Sequence, residues 1–181
     1  MKTIHITTLG TFVFLVVIAG SSIAQVTGKA SFQDRPDFIS KYFESKSFGD
    51  SSVGLPITEI NIKAIRHFAK SFKQAVNVSW FKNDNGIVVF FTQDGIRSRA
   101  DYDKKGYWLY NIRTYSESLL PRNIRDIVKR EYYDYSILVV HEISDDKRTA
   151  YVLQLEDSTS IKTISVYDGE INVMKEYVKS K

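Results

Sequence analysis

From Pro56 onward, apolar positions recur with a readable period. Ile62, Ile65, Ala69, Phe72 and Val76 fall three or four residues apart, which predicts a helix packed on one side. Thr58 is the expected N-cap and Glu59 an acid in the first turn, where the helix dipole favours an anion. The other face carries Lys63, Arg66, His67, Lys70 and Lys73. The pattern then changes to strands: Val78–Lys82, Ile87–Thr92, Ile96–Tyr102 and Tyr107–Tyr115. They are separated by Asn83-Asp84-Asn85-Gly86, Asp94-Gly95 and Asp103-Lys104-Lys105-Gly106, residues that tolerate the positive φ of tight hairpins.

The order then repeats. Leu120-Pro121 opens a second, shorter helix, with Ile124, Ile127, Val128 and Tyr132 as its buried side. Four more strands follow at Ile137–Ile143, Thr149–Glu156, Ser160–Tyr167 and Glu170–Val178. The chain thus reads α-β-β-β-β twice, over 56–118 and 119–181. Ile65-Arg66 with Phe72 corresponds to Ile124-Arg125 with Tyr132. The expected fold class is α+β: an antiparallel sheet from the two repeats, with both helices on one face.

The chain ahead of Pro56 is of another kind. Residues 1–24 read as a secretory signal peptide, with Lys2 before the apolar run Thr11 to Gly20 and small residues at Ser22 and Ala24. That run is about half of the ~20 residues a membrane-spanning helix needs. No second apolar stretch follows, so no membrane span is expected after cleavage. No cysteine follows the leader either, which excludes a lipid-anchored lipoprotein. Residues 25–55 read as a partly ordered N-terminal arm, in which Pro36 to Phe43 can place Phe38, Ile39, Tyr42 and Phe43 on one face. The expected location is the periplasm or outside the cell.

Composition removes several activities. The 181 residues include no cysteine and three histidines. Disulfides, thiolate metal sites and cysteine nucleophiles are therefore excluded, and material for a histidine-rich metal centre is lacking. A net charge of +4 gives no reason to expect nucleic acid. There is no P-loop, G-x-G-x-x-G, H-E-x-x-H or serine elbow. Asp101-x-Asp103-x-x-Gly106 resembles a fragment of a calcium loop without its closing glutamate, and reads as a turn. No cofactor, metal or catalytic residue is expected. His67 and His141 read as structural.

The stretch Ala75-Val76-Asn77-Val78-Ser79-Trp80, the Asp94-Gly95 hairpin and the second opening Leu120-Pro121 together resemble the PepSY-like family of exported bacterial proteins, described as β-lactamase-inhibitor-like. The resemblance covers most of 56–181. It implies a tandem α-β4 fold with an open sheet face available to bind protein; the family has no general assigned enzymatic reaction, so the resemblance carries over no catalytic residue. Val140-His141 stands where the second tryptophan would fall.

With 11 Tyr, 11 Phe and 2 Trp, the chain has the residue types of protein-binding hot spots. Alternation places Tyr107, Leu109, Asn111, Arg113 and Tyr115 on one face of their strand and Trp108, Tyr110, Ile112 and Thr114 on the other. Arg97, Arg99, Asp101 and Asp103 share one face of theirs. The candidate binding residues are Trp80, Arg97, Arg99, Tyr107, Trp108 and Tyr110. The expected function is that of an exported, non-enzymatic module recognising an envelope or extracellular protein or peptide. The alternatives are a small-ligand or catalytic site between the repeats and a self-associating envelope protein.

Overall fold

The computed structural model describes residues 54–180, so the expected signal peptide and most of the arm lie outside the described residues. A 3-10 turn at Ile57–Glu59 leads into helix α1 (Ile62–Ser71). Strands β1 (Val76–Asn83), β2 (Gly86–Gln93), β3 (Ile96–Asp103) and β4 (Trp108–Tyr115) follow. A second 3-10 turn at Glu117–Leu119 precedes helix α2 (Arg122–Glu131). The chain ends in β5 (Ser136–Ser144), β6 (Thr149–Glu156), β7 (Ser160–Tyr167) and β8 (Glu170–Val178). All eight strands form one antiparallel sheet in sequence order. The fold class is α+β.

The turn chemistry accounts for this meander. Asp94-Gly95 and Asp168-Gly169 have positive φ at both positions, the two-residue type I′ loop that suits right-twisted strands. In the β1–β2 turn the Asn83 side chain accepts hydrogen bonds from the Asn85 and Gly86 amides, at 3.0 and 2.8 Å. The carboxylate of Asp157 does the same before β7, accepting from Thr159 and Ser160.

Helix α1 differs from the expectation in three ways. Its cap is Asn61, whose Oδ1 accepts from the Lys63 amide at 3.0 Å, and not Thr58, which lies in the 3-10 turn. Its buried residues are Ala64 and Phe68, flanked by half-buried Ile65 and Phe72. Ile62 and Ala69 are exposed, and Val76 already belongs to β1. The i, i+4 series Ala64, Phe68, Phe72 sets the helix rotation because Phe68 brings the largest apolar surface. Third, α1 is no longer than α2: each has ten residues, starting at Ile62 and Arg122, sixty positions apart. In α2 the buried side is as expected, with Val128 fully buried and Ile124, Ile127 and Tyr132 around it; Pro121 caps the helix from just outside it.

Three apolar clusters result. The first joins α1 to Trp80, Ile87, Val89, Phe91, Ala100 and Tyr102. The second joins α2 to Tyr115, Ile137, Val140, Leu153, Leu155, Ile164 and Val166. The third contains no helix residue. It consists of Tyr110, Ile112, Ile143, Ala150 and Val152, with Tyr167 and Met174 beside it. Because Ile112 pairs with Arg99 and Ile143, while Ala100 and Asn111 form the neighbouring row, this cluster lies on the sheet face opposite α1.

Candidate binding surface

The β3–β4 hairpin is docked on the start of α1. Asp103 Oδ1 accepts from the amides of Lys105 and Tyr107, at 2.9 and 2.8 Å, which closes the turn. Gly106, at φ +81, sits so tightly against Asn61 that an added Cβ would fall 2.7 Å from Asn61 Oδ1. The helix cap and the hairpin are thus one packed corner. From it Tyr107 projects with 55% of its surface exposed. Lys63 Nζ donates to the Tyr107 hydroxyl at 3.1 Å and lies 4.6 Å from the ring centroid. Lys104, Lys105 and Ile62 are exposed in the same hairpin–helix pair, so the corner is aromatic and cationic.

Behind it, His67 is stacked on Trp108, with centroids 5.4 Å apart. Its Nδ1 is 3.0 Å from the Tyr102 hydroxyl and its Nε2 3.3 Å from Ser71 Oγ. Burial lowers the His67 pKa below its ordinary value, and Lys70 adds to this against an opposing effect of Asp146, which favours the neutral imidazole. A serine beside a neutral imidazole has two parts of a nucleophile–base pair. The third part, a carboxylate hydrogen-bonded to Nδ1, is not in place, because Nδ1 faces a phenol that burial keeps protonated. The cluster is a packed plug under the corner. Trp108 Nε1 is buried there with no acceptor among the described residues.

Where β4 pairs with β5, Glu142 of β5 accepts from Arg113 of β4 at 3.2 Å and from the Tyr115 hydroxyl at 2.5 Å. Both carboxylate oxygens are taken. Among the described residues no group of three or more acids or histidines is arranged to hold a metal, and no helix is long and apolar enough to cross a membrane.

The six candidate binding residues are dispersed. Tyr107 and Arg97 are exposed and Trp108 is half-buried. Trp80 is buried at 7% in the α1 cluster, edge-on to Phe68. Tyr110 and Arg99 are buried in the opposite face, at 3% and 6%. There Arg99 makes a two-pronged ion pair with Asp101, its Nε 2.6 Å from Asp101 Oδ2, beside the Phe90 ring. Of the four β3 residues expected to share one face, Arg97 is exposed, Asp103 half-buried, and Arg99 and Asp101 are buried. A rigid partner can touch Tyr107 and Arg97 but not Trp80, Tyr110 or Arg99. A β-bulge at Leu109 also separates Trp108 from Tyr110, because Tyr102 pairs with Trp108 while Asp101 pairs with Tyr110. Strict alternation over Tyr107–Tyr115 fails at that point. The roles of Lys63 and Asn61 were not singled out from the sequence; His67, read there as structural, packs on Trp108.

Residues 85–173 match the model of the family described as "Putative beta-lactamase-inhibitor-like, PepSY-like". Among solved structures, a BLIP-like protein from Bacteroides fragilis is similar at 16% identity and a TM-score of 0.55, covering 72% of this chain and 92% of its own. A DUF2874 family protein from Bacteroides ovatus is similar at 13% identity and a TM-score of 0.55, covering 66% and 87%. A protein from Bacteroides eggerthii described as "putative periplasmic" is similar at 14% identity and a TM-score of 0.55, covering 66% and 88%. At these identities the likeness is one of fold. No curated protein matches the sequence significantly.

Proposed function

We propose, from the match of residues 85–173 to the β-lactamase-inhibitor-like, PepSY-like family model, that this chain is an exported, non-enzymatic binding module that recognises a protein or peptide through the Tyr107 corner. The observation that carries the reading is the exposed Tyr107 ring, held in place by Lys63 and by the Asp103 turn. A large side chain fixed in one orientation loses little entropy on binding, and tyrosine is among the residues that dominate hot spots. Export is supported by the leader pattern at 1–24 and by a fold shared with a protein described as periplasmic.

The reading takes the chain as one α-β4 unit used twice, with both helices on the same sheet face. Register supports this. Trp80, Val89, Ala100 and Asn111 form one cross-strand row on the α1 side, and Tyr115, on the same side of β4 as Asn111, packs with α2. Both halves also have a 3-10 turn before the helix and a bulge early in the first strand. The seam between them, where a small-ligand site was the alternative, is filled by the satisfied Arg113–Glu142–Tyr115 network.

The test is a photo-reactive benzophenone side chain at position 107, with one at position 133 as control, since Tyr133 is more exposed and lies at the end of α2. Envelope proteins cross-linked at 107 and not at 133 support the reading. Equal cross-linking at both, or none at 107, overturns it.

A further inference from the structure

We infer that the sheet face opposite the helices is covered by this chain's own N-terminal arm, through the amphipathic stretch 36–43. The inference is independent of the Tyr107 reading. An antiparallel sheet with helices on one side normally shows alternating burial, because its other side meets water. Here Ser98 to Tyr102 of β3 are buried without a break, and so are Gly86 to Val89 of β2. Such runs mark strands covered on both faces. On the face away from α1, Ile143 and Ala150 are 0% exposed and Val88, Val152 and Ser165 nearly so. Every described residue of the apolar cluster on that face belongs to a strand of the sheet itself. It also holds the Arg99–Asp101 pair, and a charge pair of that kind is stable in a dry site only when fully satisfied.

What covers the face must be apolar, close at hand and long enough. Phe38, Ile39, Tyr42 and Phe43 recur as one apolar side over two turns, in an arm with four basic and four acidic residues between Gln25 and Val53. A neutral, aromatic segment suits a face whose one charge pair is already neutralised. The reach is sufficient. The Leu55 amide donates to the Trp80 carbonyl at 2.7 Å, so the chain arrives at the β1 edge. The third cluster is centred about four strands away, roughly 19 Å at the usual inter-strand spacing. The ten residues 44–53 span up to about 33 Å when extended. The face that an open PepSY-like sheet would offer to a partner is thereby occupied from within the same molecule.

The chain has no cysteine, so single cysteines report cleanly. In the chain from Gln25 onward, Ser165→Cys sits on the covered face and Ser98→Cys on the α1 side, both at buried serines. The expected result is slow alkylation of both in the parent, and at least ten-fold faster alkylation at 165 alone when Phe38→Asp and Phe43→Asp are added. A reactive 165 in the parent would overturn the inference, since nothing would then cover the face. Protection unchanged by the arm substitutions would also overturn it, and protection lost on dilution would assign the cover to a second copy. Should the arm substitutions unfold the chain, a benzophenone side chain at position 38 decides instead. Its adducts in the monomer are expected on β4 to β7; adducts on the helices, or none, contradict it.

Discussion

Trp108 and Tyr110 lie on opposite faces of the sheet although only Leu109 separates them. The bulge at Leu109 turns Trp108 onto His67 beneath the hairpin corner and leaves Tyr110 in the third apolar cluster, with its side chain near Asp101. Their substitutions should therefore differ. Tyr110→Ala removes a buried ring and is expected to cost about 3–5 kcal/mol in urea denaturation. Trp108→Ala removes a half-buried ring whose N–H has no acceptor among the described residues, and should cost clearly less. Equal losses would mean that the bulge does not separate them.

Arg99 and Asp101 should behave as a unit. Removing one partner strands the other charge in the interior, so Arg99→Met and Asp101→Asn are each expected to cost about 3–5 kcal/mol. The double replacement Arg99→Met/Asp101→Asn should cost less than the two added together. A double-mutant cycle measures this, and simple additivity would contradict a coupled pair. Burial raises the Asp101 pKa, against the pull of Arg99 and Tyr110.

Asp157 has the opposite sign. The Thr159 amide, followed by that of Ser160, stabilises its carboxylate and lowers its pKa to about 2. Its contribution is fully present above pH 3.8 and is lost as pH falls toward 2. Asp157→Asn should flatten the fall in Tm between pH 4 and pH 2 relative to the parent, as followed by circular dichroism. An identical pH profile for the two proteins would rule out this role.

Gly106 and Gly169 share the same φ of +81 but not the same surroundings. Gly169→Ala meets nothing within 4 Å, so it should show only the cost of a left-handed alanine, about 1–2 kcal/mol. Gly106→Ala drives its Cβ into Asn61, loosens the α1 cap and should cost at least about 1 kcal/mol more. Thermal unfolding of the two variants compares them directly.

How much of this was legible follows from which forces are local. The hairpins are set by Asp-Gly and Asn side chains within a few residues, and strands such as Thr149–Glu156 and Glu170–Val178 were read to the residue. The rotation of α1 was not. Ile62, Ile65, Ala69 and Phe72 offer one stripe and Ala64, Phe68 and Phe72 another, and only contact with Trp80 and Phe91 selects the second. The Leu109 bulge was hidden for a similar reason: it arises from pairing with β3, not from any glycine in β4. Trp80, Arg99 and Tyr110 were chosen as hot-spot residue types, but the same aromatic and guanidinium groups also build interiors, and burial is a property of the packed sheet.

The most direct test of the binding reading is capture from the envelope and culture-supernatant fractions of its source, using the chain from Gln25 and its Tyr107→Ala variant side by side. Tyr107 is exposed, so the variant should keep its unfolding free energy to within the range of an ordinary surface substitution, about 0.5 kcal/mol. The account predicts one stoichiometric partner held by the parent and lost, by ten-fold or more, from the folded variant. A partner retained equally by both, or none held by the parent, would contradict it.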